Sequence, residues 1–457
     1  RNPMKPSLIL INPWIYDFAA FDLWSKPLGL LQLAAYLRQS DYRVQFIDCL
    51  DVHLPGMEAG PTLKRPRRDS YGTGKFWKET IPKPEPLQSI PRPYSRYGIS
   101  PSLFEKELRQ CGEPSAILIT SLMTYWYPGV RDAIRIAKEV YPHVPVILGG
   151  VYATLCHQHA IDCSGADRVI SGDGMATILK VLDGYGIPAP VDSPNPGTPL
   201  RPAFDLLTKI DYMCIMASKG CPYDCKYCAS RYLNPQFSQK DPDEVLDEIL
   251  YWHKAFGIRD FAFYDDALLV ASHTHLGVLL EKLAGFDLDL RFHTPNAMHV
   301  KDITPEISRL MYQTGFRTIR LGVEALDMAF HRDLDHKMKE GDFERAVQNL
   351  LAAGFSSQQI GAYILIGLPG QSIESVEETI TLVGSAGAAP YPSEYSPIPL
   401  TALWEKAIAC SEYDLEKEPL FHNNTLFPCW SDPMKKKAVT LKRMASEIRR
   451  KFSILHP

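Results

Sequence analysis

Short apolar runs alternate with amphipathic stretches along almost all of this 457-residue chain, and that rhythm limits its fold more than any other feature. In the first part the apolar runs fall at 7–12, 44–47, 116–120, 144–148 and 168–170. Stretches with helical spacing follow at 30–39, 130–140, 153–161 and 175–182; Leu30, Leu33, Ala34 and Leu37 share one helical face. Apolar strands that alternate with helices build a parallel sheet buried on both sides. The spacing therefore predicts an α/β, Rossmann-like (flavodoxin-like), doubly wound domain over 1–190. A proline-rich stretch at 191–202 reads as a linker.

Six more strand-like runs follow, at 212–217, 260–264, 290–294, 318–323, 361–366 and 394–396. Helical patterns separate them at 242–255, 274–284, 305–311, 343–353 and 373–383. Six β/α units are too few to close an eight-stranded barrel, so 203–405 is predicted to be a partial (β/α)6 barrel. The remaining 406–457 is a small C-terminal segment with a basic amphipathic helix near 435–452, and its Cys410 and Cys429 read as ordinary thiols.

Ligands of such sheets sit beyond the carboxyl ends of the strands. In the first domain those ends carry Ser121-Leu122, Gly149-Gly150-Val151 and Gly172-Asp173-Gly174. None matches GxGxxG, which argues against a dinucleotide. A long insertion at 52–100 is rich in proline and basic residues, including Lys64-Arg65-Pro66-Arg67-Arg68. It reads as a solvated charged face or as a segment that docks substrate or closes the site.

Cys221-x3-Cys225-x2-Cys228 carries the chemistry. Three thiolates at this spacing can hold three irons of a four-iron cluster and leave the fourth open to a ligand. A zinc site is the alternative, but no fourth Cys or His stands nearby at ribbon-like spacing. The motif resembles that of the radical SAM superfamily, where the open iron chelates S-adenosylmethionine and one electron cleaves the sulfonium to give a 5′-deoxyadenosyl radical. The resemblance extends to about residue 405. It implies a [4Fe–4S] cluster on Cys221, Cys225 and Cys228. It also implies S-adenosylmethionine contacts from Tyr227 and from the strand-end residues Asp265, Asp266, Asn296 and Glu324. Gly367 and Leu368, in the Gly361-to-Gly370 motif, complete that set.

In the first domain Pro27-Leu28-Gly29-Leu30, Gly149-Gly150 and Gly172-Asp173-Gly174 resemble the cobalamin-binding domain that precedes many radical SAM domains. The resemblance implies cobalamin held by Leu28, Gly29, Ser121, Leu122, Gly149, Gly150, Val151, Gly172 and Gly174. A side chain at Gly150 is expected to exclude the corrin by bulk. With no Asp-x-His-x-x-Gly motif, no protein histidine is expected on cobalt.

By this resemblance the expected enzyme is a cobalamin-dependent radical SAM methyltransferase acting on a carbon of an unknown substrate; no catalytic residue is assigned. Oxidation, cyclisation or rearrangement with the same cofactors is one alternative, and a corrinoid- and cluster-binding accessory protein another. Reduced ferredoxin or flavodoxin is the expected electron donor. A net charge of −4 gives no general case for nucleic acid, and no apolar run is long enough to span a bilayer. Ten cysteines without a disulfide framework suggest a reducing cytoplasm, and an open cluster suggests anaerobic chemistry.

Overall fold

The computed structural model describes residues 5–60, 63–190 and 200–455, so most of the linker predicted at 191–202 lies outside the described residues. The chain forms two compact units, one of Arg1–Asp211 with Glu416–Phe421 and the other of Tyr212–Leu415 with His422–Pro457. The first unit thus reaches nine residues beyond the boundary drawn at 202, and it also takes a short piece of the C-terminal segment.

In the first unit, β1 (Ser7–Asn12), β2 (Arg43–Asp48), β3 (Ala116–Ile119), β4 (Val146–Leu148) and β5 (Arg168–Val169) form one parallel sheet. Its order, β2-β1-β3-β4-β5, is the flavodoxin-like one, with the topological switch between β1 and β3. Leu8, Ile9, Leu10 and Ile11 are all fully buried, because helices cover both faces of the sheet and leave no polar side to β1. At the carboxyl ends of β1 and β2, Asn12 Nδ2 donates to Asp48 Oδ1 at 2.7 Å.

Two expectations in this unit are corrected. The helix predicted at 153–161 is broken at Cys156 (φ −122°, ψ 48°) into Val151–Leu155 and His157–Cys163. The 52–100 insertion is not a mere charged loop. Its strands Lys78–Ile81 and Tyr94–Tyr97 join Ile15–Asp17 in an antiparallel sheet. Trp14, Phe18, Phe76, Trp77, Tyr94 and Tyr97 are buried around it, so aromatic burial orders a segment that composition alone marks as loop. Arg68 of the basic run is no free charge, since its guanidinium donates to Asp22 and to the Gly72 carbonyl.

The second unit holds a seven-stranded sheet. Along its main path run β6 (Met213–Ile215), β7 (Asp260–Phe263), β8 (Arg291–His293), β9 (Phe316–Glu324), β10 (Ile360–Ile366) and β11 (Ala389–Glu394), in sequence order and all parallel. Met298–His299 pairs beside β9. A six-strand path with two free ends is an open barrel, as expected. The last strand is 389–394 rather than 394–396: Pro390 and Pro392 obscured it, yet an edge strand tolerates proline because one side needs no ladder donors. The C-terminal helix Asp432–Leu455 packs on β11, and Arg449 Nη1 donates to the Pro390 carbonyl at 2.5 Å. Phe263, Phe292 and Phe316 pack ring to ring at 5.3–5.9 Å across β7, β8 and β9.

Candidate active site

The three motif cysteines line a cavity of about 280 Å³ in the second unit. The loop that carries them leaves β6 and is tied down at both ends. At its start Asp265 accepts hydrogen bonds from the Ala217 amide (3.1 Å), the Ser218 amide (2.5 Å) and the Ser218 hydroxyl (2.6 Å). Gly220 (φ +77°) follows; a Cβ there would lie 2.7 Å from the Gln236 carbonyl, so only glycine fits. Further on, the Lys226 amide donates to the Leu334 carbonyl at 2.9 Å, and the Lys226 carbonyl accepts from the Leu403 amide at 3.0 Å.

Among the described residues, no three His, Cys, Asp or Glu side chains converge on a single metal ion, as zinc would require. In a four-iron cluster each cysteine binds a different iron, and three thiols spaced around one cavity suit that demand. The Ser230 amide donates to Cys228 Sγ at 3.4 Å, the kind of contact that tunes a cluster thiolate.

Four of the residues expected to contact S-adenosylmethionine line the same cavity: Tyr227, Asp266, Asn296 and Glu324. Asn296 Nδ2 donates to the Tyr264 carbonyl at 2.8 Å, which leaves its oxygen available. Asp266 accepts from Ser230 Oγ, and burial raises its carboxyl pKa. Glu324 is 8% exposed, and burial raises its carboxyl pKa against the pull of Lys337. Asp265 is absent from the cavity wall. It is 3% exposed, burial pushes its carboxyl up to about 6, and both its oxygens serve the cysteine loop. Gly367 and Leu368 are likewise not on the wall; their amides donate to Gln371 Oε1 at 3.0 and 3.3 Å.

The structure adds residues that the sequence reading missed. Tyr227 donates its hydroxyl to Asp335 Oδ2 at 2.8 Å, and Asp335 Oδ1 lies 2.7 Å from His331 Nδ1. His331 Nε2 is 2.8 Å from the Ala325 carbonyl, so both ring nitrogens face acceptors; burial opposes the ring's charge, but the bond to Asp335 outweighs it and raises the pKa. The His-x3-Asp spacing on one helical turn was the available signal for this pair. Lys337, Tyr363 and His299 also line the cavity, with no comparable signal. His299 is held neutral: burial, then Lys337 and Lys301, push it down to about 3. Its buried Nδ1 has no hydrogen-bond partner among the described residues.

At the carboxyl ends of the first unit's sheet the glycines divide into two kinds. A Cβ on Gly29, Gly149, Gly172 or Gly174 would meet no atom within 4 Å, so these positions leave open backbone for a large flat ligand. Gly150 does not: at φ +98° its Cβ would lie 2.3 Å from the Ser121 carbonyl oxygen, so the glycine is needed by the fold itself. The expectation that a side chain there acts by excluding a corrin is corrected accordingly. Ser121 and Val151 build the same turn, with Ser121 Oγ donating to the Gly149 carbonyl at 2.7 Å and the Val151 amide donating to the Ser121 carbonyl at 2.8 Å. Leu28 is buried and opens its helix, while Leu122 is half-buried. Tyr152, fully buried, bonds His159 Nδ1 at 2.7 Å and stacks on Tyr127 at 5.7 Å.

Comparison with known proteins agrees with this division. The family model of the Radical SAM superfamily matches residues 215–383, and that of the B12 binding domain matches 98–182. An uncharacterized methyltransferase of Pyrococcus horikoshii is 25% identical over 341 residues, covering 65% of this chain and 70% of its own length. An anaerobic magnesium-protoporphyrin IX monomethyl ester cyclase of Rubrivivax gelatinosus is 24% identical over 307 residues, covering 58% of this chain, which spans only 53% of that protein. The radical S-adenosylmethionine methyltransferase TsrM from Kitasatospora setae, solved with cobalamin and a [4Fe–4S] cluster, superposes with a TM-score of 0.62 at 15% identity, covering 90% of this chain and 76% of its own. The cobalamin-dependent S-adenosylmethionine radical enzyme OxsB gives 0.55 at 12% identity, covering 97% and 56%. At such identities the structural likeness concerns the fold. A radical SAM domain takes a [4Fe–4S] cluster and S-adenosylmethionine, and a B12-binding domain takes cobalamin. The chain thus carries a radical SAM domain at 215–383, with a B12-binding domain ahead of it at 98–182.

Proposed function

We propose that the chain is a cobalamin-dependent radical SAM methyltransferase acting on a carbon of a substrate not yet identified. The observation that carries the reading is a single cavity at the barrel's strand ends, where three thiols meet Tyr227, Asp266, Asn296 and Glu324. When bound, the cluster and S-adenosylmethionine supply radical chemistry and cobalamin supplies methyl transfer. The protein's own residues hold and orient. Asp265 fixes the entry of the cysteine loop, and the His331–Asp335 pair fixes the Tyr227 ring. Glu324 and Asp266 offer carboxylate oxygens to an ammonium or to ribose hydroxyls, and Asn296 offers its amide oxygen. Gly29, Gly149, Gly172 and Gly174 leave backbone open to the corrin. Reduced ferredoxin or flavodoxin supplies electrons, and the setting is an anaerobic cytoplasm. No helix among the described residues is long and apolar enough to cross a membrane.

The cyclase relative supports a second reading, in which the same cofactors drive oxidation or ring formation without methyl transfer. The products of S-adenosylmethionine separate these readings. The anaerobically reconstituted protein, with cobalamin, reductant and candidate acceptors, should yield both 5′-deoxyadenosine and S-adenosylhomocysteine, with label passing from methyl-labelled S-adenosylmethionine to the acceptor. Deoxyadenosine alone would favour the second reading. Neither product would make the chain a binding protein.

A further inference from the structure

Lys337 is a cation that the ligand set does not require. It reaches the cavity from the segment after β9, with a side chain only 12% exposed. Its ammonium shares the cavity with Cys221, Cys225 and Cys228, and lies 3.7 Å from Glu324 Oε1 and 5.4 Å from the centre of the Tyr227 ring. A buried ammonium is costly unless it is paired, and here Glu324 supplies the opposite charge at the cavity wall.

The backbone around it points the same way. His336, just before Lys337, has φ +54°, and Glu324, its ion-pair partner, has φ +61°. Residues with a Cβ rarely adopt this left-handed conformation, and strain of this kind gathers at functional sites. The turn is held in place from both sides. The His336 amide donates to the His331 carbonyl at 2.7 Å, and the Lys337 amide donates to Asp335 Oδ1 at 3.1 Å. Asp335 is the same acid that holds Tyr227 of the cysteine loop. Loop and lysine are therefore locked to one anchor.

We propose that Lys337 makes the iron–sulfur cluster easier to reduce by keeping a fixed positive charge in the cavity that the three cysteines line. The inference rests on the cluster assignment made under Proposed function. A one-electron donor such as reduced ferredoxin or flavodoxin adds one negative charge to the cluster and its thiolates. A neighbouring cation stabilises that reduced form more than the oxidised one. Glu324 offsets part of the charge, but the ammonium stays in the cavity that all three cysteines line. Lys337 is thus a positioning residue for charge, acting through a ligand rather than on the substrate.

The test is a redox titration of the full-length, anaerobically reconstituted protein without S-adenosylmethionine, followed by the electron paramagnetic resonance signal of the reduced cluster. Iron content and the charge-transfer absorbance are measured first, so that a failed cluster assignment shows itself separately: wild-type protein without iron overturns that assignment and this inference with it. Lys337→Met should lower the equilibrium constant for reduction about tenfold, which is about 59 mV for a one-electron couple. Lys337→Arg should keep it within about threefold, since the charge stays. If Lys337→Met does not assemble a cluster, Glu324→Gln decides: it leaves the lysine unopposed and should raise the constant severalfold. The proposal is overturned by an unchanged potential in an iron-replete Lys337→Met protein, by equal losses in Met and Arg, or by an unchanged or lowered potential in Glu324→Gln. A loss of S-adenosylmethionine affinity with the potential unmoved would overturn it too, and would make Lys337 a cofactor contact instead.

Discussion

Substituting two adjacent glycines should separate the needs of the fold from the needs of a ligand. In Gly150→Ala the new Cβ would sit 2.3 Å from the Ser121 carbonyl oxygen and 2.6 Å from its amide nitrogen. Both are backbone atoms of a fully buried residue, so neither can swing away. Left-handed backbone (φ +98°) adds about 1–2 kcal/mol, and forced repacking about 1–3 kcal/mol. The sum, roughly 2–5 kcal/mol, is a large part of the 5–15 kcal/mol that typically holds a domain together. Gly149→Leu is the contrast, because nothing lies within 4 Å of its Cβ. It should change stability by no more than about 0.5 kcal/mol, yet it should reduce cobalamin retention if the corrin approaches that backbone. Urea denaturation of the cobalamin-free protein measures the first effect, and cobalt content after anaerobic reconstitution measures the second. A Gly150→Ala protein within about 0.5 kcal/mol of wild type would refute the steric argument. Normal cobalt in Gly149→Leu would remove Gly149 from the cobalamin site.

Replacing any of Cys221, Cys225 or Cys228 by Ala should abolish both the ~410 nm absorbance typical of thiolate clusters and deoxyadenosine formation; full iron with normal product would reject the ligand assignment. Glu324→Gln should weaken S-adenosylmethionine binding roughly tenfold, as the loss of one charge-assisted hydrogen bond of about 1.5–3 kcal/mol requires; isothermal titration gives the answer, and unchanged affinity makes Glu324 a partner of Lys337 alone. Burial works against the charge on His331, but its bond to Asp335 prevails and raises its pKa. Stability from this pair should therefore be complete below the unfolded histidine value near 6.5 and be lost as pH rises through the higher folded one. His331→Gln should flatten that alkaline limb in unfolding curves taken against pH, and an unaltered limb would place the titration elsewhere.

Much of this was legible because strands and motifs are local. Apolar runs bounded by turns gave ten of the strand positions in the two main sheets nearly as they are, and the cysteine spacing marks the site without tertiary information. Asp265-Asp266 shows where local reading stops. Both lie just past β7, and only Asp266 lines the cavity. Asp265 is turned away from it by the Ala217 and Ser218 donors, which come from the start of the cysteine loop. Lys337 was invisible for a related reason. It reaches the cysteines through a left-handed turn at His336, and no periodicity announces a residue that the sequence rules say should not be there. The insertion's order rests on scattered aromatics whose partners lie far apart in the chain.

The two left-handed residues beside the cysteine loop also bear on how this protein can be altered. Glycine or asparagine at 324 or 336 would relax the backbone, and each relief is worth about 1–2 kcal/mol. A screen that selects only for heat resistance should therefore enrich such changes at these positions. At 324 it would discard the carboxylate that faces the cavity; at 336 it would loosen the turn that aims Lys337. Robustness and reactivity are set against each other at these two residues, so variants improved for one should be re-measured for the other before they are combined.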